Sequence, residues 1–144
     1  MVLIYMKRVI RILFTALLAV CFSCEEKGWL ADCNDCTVEI PRTTYLLIKL
    51  TDTGLPVLLN IYEGELEDSV LYDFININNV KEYSADVPVN KTFTITATYD
   101  IEDITYIAVD SATPKVRYTE DQCDEACYYV YDREVDVRLK YTAN

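Results

Sequence analysis

From Tyr45 onward, apolar and polar positions alternate along the chain with a period of two. In "TFTITATYD" (92–100), Phe93, Ile95, Ala97 and Tyr99 fall on one side and Thr92, Thr94, Thr96 and Thr98 on the other. "EVDVRLKY" (134–141) repeats the pattern, with Val135, Val137, Leu139 and Tyr141 opposite Glu134, Asp136, Arg138 and Lys140. Successive side chains of a strand point to opposite faces, so each stretch predicts a half-buried antiparallel strand.

Seven further segments read the same way: 45–51, 56–63, 69–76, 82–89, 104–111, 115–119 and 127–132. Their enrichment in Tyr, Thr, Val and Ile suits a pleated surface. Turn signals separate them at 51–56, 62–69, 78–81, 88–91, 99–104 and 110–115. With three glycines in the chain, Asn and Asp must supply most positions of positive φ. No amphipathic helix separates any two strands, which argues against a parallel α/β sheet. The expectation is an all-β domain over residues 33–144, a single antiparallel β-sandwich of about seven to eight strands.

The N-terminal region follows a different pattern. Lys7, Arg8 and Arg11 precede an apolar run from Ile12 to Phe22, broken only by Thr15 and too short to span a bilayer. A basic flank, a short apolar centre and a small residue before a break predict a signal peptide over residues 1–23. A start at Met6 gives a more orthodox signal than one at Met1. Phe22-Ser23-Cys24 resembles the bacterial lipoprotein signal, which implies cleavage before Cys24, a thioether-linked diacylglycerol on its sulphur and an acyl group on the new N-terminus. Val20, ahead of Cys21, is β-branched and fits a cleavage pocket poorly. Glu25 and Glu26 resemble the acidic export tag of Bacteroidota-type lipoproteins. That likeness implies an outer-membrane, lipid-anchored, cell-surface protein, with a periplasm-facing position as the alternative. Residues 24–32 then form a tether, with Trp29 packed on the domain.

Removing residues 1–23 leaves 121 of 144 residues, enough for one domain with a core. Three of thirteen basic residues leave and all 24 acids stay, so the remaining charge is −14. Long-range repulsion makes nucleic acid and anionic membrane surfaces poor partners, and no nucleic-acid partner is expected. The chain has no histidine, which removes imidazole triads and the usual zinc-hydrolase ligand sets. By its strand count and phrases such as "VPVNKTFTITATY" (87–99), the segment 41–90 resembles the transthyretin-like or immunoglobulin-like sandwiches of Bacteroidota lipoproteins; this implies a fold and no function.

Four cysteines remain after Cys24: Cys33, Cys36, Cys123 and Cys127, as C-x2-C and C-x3-C. In an exported small domain they predict two disulfides, of unassigned connectivity. A four-thiolate zinc site is the alternative, and a thioredoxin-like redox motif is disfavoured because "CNDCTVEIP" runs into β-branched residues and a proline. Pairing between the clusters would close a loop of about ninety residues and stabilise by roughly 4–5 kcal/mol.

The acidic patches 63–68, 100–103 and 120–127 lack the alternating Asp/Asn-plus-Gly pattern of a calcium loop and read as solvated surface. No metal, no cofactor and no catalysis is expected. Eleven tyrosines follow residue 23, densest in "CYYVYD" (127–132), where Tyr129 and Tyr131 share one face and Tyr128 takes the other. These three are the ligand-binding candidates, suited to stacking on a sugar or a partner protein. Ser69 in "DSV" and Ser111 in "DSA" resemble O-glycosylation sites of Bacteroidota exported proteins. The expected function is a non-catalytic binding or structural module, held to the membrane by its N-terminal lipid, with a glycan or envelope protein as partner. The alternative is an accessory subunit of a surface glycan-uptake complex or pilus-like assembly.

Overall fold

The computed structural model describes residues 30–68 and 70–140. The signal segment, Cys24, Trp29, Ser69 and Tyr141 lie outside these residues. The described chain is nearly all β. Its strands are β1 (Thr43–Lys49), β2 (Val57–Glu63), β3 (Val70–Ile77), β4 (Glu82–Pro88), β5 (Phe93–Ile101), β6 (Ile104–Ala112), β7 (Lys115–Thr119), β8 (Cys127–Tyr131) and β9 (Glu134–Asp136). Two sheets, ordered β4-β1-β9 and β3-β2-β5-β6, form the sandwich layers, and β7-β8 form a separate two-stranded hairpin. Nine strands form rather than seven to eight because β7 and β8 pair with each other outside the two layers.

The period-two pattern decides what is buried. Leu46 and Ile48 of β1, Leu59 and Ile61 of β2, Phe93, Ile95 and Ala97 of β5, and Val135 of β9 are sealed from solvent between the sheets. Each such Leu, Ile, Val or Phe contributes about 1.5–3 kcal/mol relative to an exposed position. Tyr99 is also buried, so its hydroxyl needs partners. It donates to the Val137 carbonyl at 2.8 Å and accepts from the Thr51 amide at 3.2 Å. Burial pushes its phenol above the ordinary tyrosine value.

Asn and Asp do supply positive φ where turns need it: Asn79, Asn90, Asp103 and Asp132, with Glu102 a further case. Glu102 and Asp103 are both positive between Ile101 and Ile104, the two-residue loop whose twist matches a β-hairpin.

Two side-chain links close the flanks of the sandwich. On one flank, an extra residue in β3 opposite Ile61 and Tyr62 leaves Tyr72 out of the ladder. Its ring meets Phe93 edge-on at 5.3 Å and its hydroxyl donates to the Asp86 carbonyl of β4. On the other, the Asp136 amide of β9 donates to Asp110 of β6 at 2.8 Å.

One pairing departs from the antiparallel expectation. β9 lies parallel to β1, with Ile48 opposite Val135. The expected strand 134–141 shortens to Glu134–Asp136, although the Val137 amide still reaches the Lys49 carbonyl at 3.1 Å.

Candidate functional site

The four cysteines pair across the two clusters: Cys33 with Cys123 and Cys36 with Cys127, each with Cα atoms 5.6 Å apart. The segment ahead of β1 is thereby clamped to the β7-β8 hairpin. A one-turn 3-10 helix, Cys33–Asp35, opens this segment, and the Asp32 side chain caps it by accepting from the Asn34 amide. Beyond Cys36, Thr37 and Tyr128 exchange both backbone hydrogen bonds, at 2.8 and 2.7 Å. Thr37 therefore extends the hairpin on the β8 side.

A cleft of about 190 Å³ opens between this segment, the start of β1 and β8; Asp35, Thr37, Tyr45, Tyr128 and Arg133 are among its walls. Arg133 organises it. The turn at Asp132, with φ of +56°, redirects the chain out of β8. The Asp132 carboxylate fixes that turn by accepting from the Thr113 amide at 3.0 Å. The Arg133 carbonyl then accepts from Leu47 of β1. Its guanidinium pairs with Asp35 and lies 4.2 Å from the centre of the Tyr45 ring. With Arg133 neutralised by Asp35, the cleft presents tyrosine faces and hydroxyl groups without net charge.

The structure divides the three candidate tyrosines. Tyr129 is 3% exposed, its ring 6.3 Å from that of Tyr131. Burial takes Tyr129 out of any surface role. Tyr131 is half-buried, with Arg117 over its ring at 4.8 Å. Tyr128 lies on the opposite face, against Tyr118 at 4.9 Å, and lines the cleft. Tyr118 is directly opposite Tyr128 in the ladder and is 47% exposed. Three side chains of this surface, Tyr45, Tyr118 and Arg133, carry no local sequence signal. Tyr45 and Arg133 stand 88 positions apart and meet only because β9 adds beside β1.

Ser111 is exposed on β6, and its amide is held by the Asp110 carboxylate. Away from the cleft, Glu134 holds Lys49 at 2.6 Å and raises its pKa. Arg138 clasps Asp136 and holds its carboxyl well below the usual range. Both are surface ion pairs.

No family model, no curated protein and no solved structure matches this chain.

Proposed function

We propose that the chain is a lipid-anchored protein of the cell envelope, acylated at Cys24, which binds a neutral glycan or an envelope protein without catalysis. The observation that carries this reading is the pairing of all four remaining cysteines into two disulfides. Paired thiols of this density belong to oxidising, exported compartments. The apolar run ending at Ser23-Cys24, with Glu25 and Glu26 beyond it, supports the anchor and a Bacteroidota-type outer-membrane address.

The cleft supports the binding role. Partly exposed Tyr45 and half-buried Tyr128 line it beside the hydroxyls of Thr37, Thr43 and Thr44, and the exposed Tyr118 ring, packed against Tyr128, adds stacking surface next to it. The internal Asp35–Arg133 pair leaves no charge there to demand an ionic ligand. The strongly acidic chain around it disfavours nucleic acid and anionic lipid surfaces.

Intact-mass measurement of the protein taken from native membranes tests the anchor. Acyl mass on a chain beginning at Cys24 is the expected result, and an unmodified N-terminus rejects it. Retention on immobilised neutral polysaccharides and envelope extracts, compared for wild type and Tyr128→Ala, tests the cleft. Equal retention of the two would remove the cleft from the reading.

A second reading, an accessory subunit of a surface glycan-uptake complex or a pilus-like assembly, is favoured by β3. This strand is an edge of the four-stranded sheet and exposes Val70, Leu71 and Phe74. Its position at the sheet edge and its apolar side chains suit addition of a strand from a neighbouring subunit.

A further inference from the structure

The two disulfides are neighbours in space as well as in sequence. The sulphurs of Cys36, Cys123 and Cys127 all lie within 4.8 Å of one another, and that of Cys33 is bonded to Cys123. Three sulphurs thus converge between the N-terminal segment and the hairpin, and the fourth, that of Cys33, adjoins them through Cys123. We propose that, when reduced, this cluster is a four-thiolate site for one zinc-class divalent ion.

Both cysteine pairs have ligand spacing, C-x2-C and C-x3-C, one from each side of the clamp. A tetrahedral zinc–thiolate site, with Zn–S near 2.3 Å, sets its sulphurs roughly 3.8 Å apart. Three of the four sulphurs, already within 4.8 Å of one another, need only side-chain rotation to approach that arrangement, and Cys33, released from Cys123 on reduction, is the fourth donor. Bonds other than disulfides hold the two halves in register meanwhile. Thr37 and Tyr128 exchange backbone hydrogen bonds, the Ala31 amide donates to the Gln122 side chain at 2.7 Å, and Asp35 pairs with Arg133. Zinc, being soft enough for thiolate and indifferent to d-electron geometry, matches the donor set better than calcium or magnesium.

The chemistry balances without further parts. Each disulfide accepts two electrons and two protons from a dithiol reductant, which closes its own disulfide. The metal ion then displaces the four thiol protons as the four sulphur–metal bonds form. The metal form would hold the chain ends together before oxidation, or where oxidant is scarce, and the disulfides would do so afterwards.

The test uses the purified chain, reduced anaerobically with a phosphine that becomes its oxide, water supplying oxygen and protons. Zinc(II) or cobalt(II) is then added, and mass under native conditions and absorption are read. One metal ion per chain and a cobalt–thiolate charge-transfer band are expected, with both lost in the double variant Cys36→Ser/Cys127→Ser. Four free thiols without retained metal would overturn the proposal. So would equal binding by the double variant, which would assign the ion to acidic surface. If the reduced chain unfolds, circular dichroism decides: recovery of the β spectrum on adding one equivalent of zinc supports the site, and no recovery rejects it.

Discussion

The guanidinium of Arg133 sits 4.2 Å over the ring of Tyr45 while pairing with Asp35, so one side chain joins three segments of the chain. Its side chain is 17% exposed, which shields the pair from solvent more than an ordinary surface pair. Arg133→Ala should cost about 1–2 kcal/mol in urea unfolding, through lost stacking on Tyr45 and lost packing of a largely buried side chain. Arg138→Ala, at an exposed pair, should leave the urea midpoint essentially unchanged. Equal losses for the two would reduce Arg133 to a surface residue.

The disulfides should be strongly non-additive. While one remains, the other closes a ring of only about nine residues, worth roughly 2–3 kcal/mol in chain entropy. Removing either pair as Cys→Ser therefore costs that much. Removing both opens the long loop as well, for roughly 7 kcal/mol in total. A double loss equal to the sum of the single ones would show that the clamp does not act as one unit.

Tyr99 gives the fold an alkaline limb. Its folded pKa is raised by burial, so above pH 10 the unfolded chain releases a proton that the folded chain keeps. The sign follows: stability is fully present below pH 10 and falls as the pH rises beyond it. Tyr99→Phe should remove this slope. It should also cost about 1–3 kcal/mol at neutral pH, because the buried Val137 carbonyl loses its donor. Unfolding curves at pH 8 and 11 for both proteins check both effects.

Phe74 is 66% exposed on the edge strand β3. Phe74→Lys should leave monomer stability within about 0.5 kcal/mol. If β3 is an assembly edge, it should also abolish self-association or crosslinking to neighbours. Sedimentation and crosslinking at matched concentrations would show this, and unchanged association would clear the edge.

How much of this was legible in the sequence depended on how local its cause was. "TFTITATYD" reads directly because alternation is a property of adjacent residues, and Phe93, Ile95, Ala97 and Tyr99 do line the core. The same pattern misjudges the other face. Thr94 and Thr96 point outward, yet are only 4% and 7% exposed because β2 and β6 flank them. The parallel addition of β9 beside β1 leaves no local trace, since Val135 would alternate identically in either direction. Tyr128 could be singled out by its cluster, but its partners Tyr118, Tyr45 and Arg133 are brought in by hairpin register and sheet order. Cross-cluster disulfide pairing was similarly open until the Thr37–Tyr128 bridge set the two segments side by side.

The cysteine clamp also has a mechanical meaning. Tension applied to the chain ahead of residue 33 enters the domain at Cys33 and Cys36, and passes through two covalent bonds into the hairpin at Cys123 and Cys127. The segment leading to β1 is bypassed, so the β1 ladders with β4 and β9 do not carry the load directly. A pull from that end must first deform the β7-β8 hairpin and the turn at Asp132. Oxidised, the domain should resist such a pull as a short, stiff unit; reduced, the same pull would first break the non-covalent links at Ala31, Asp35 and Thr37 and only then load β1.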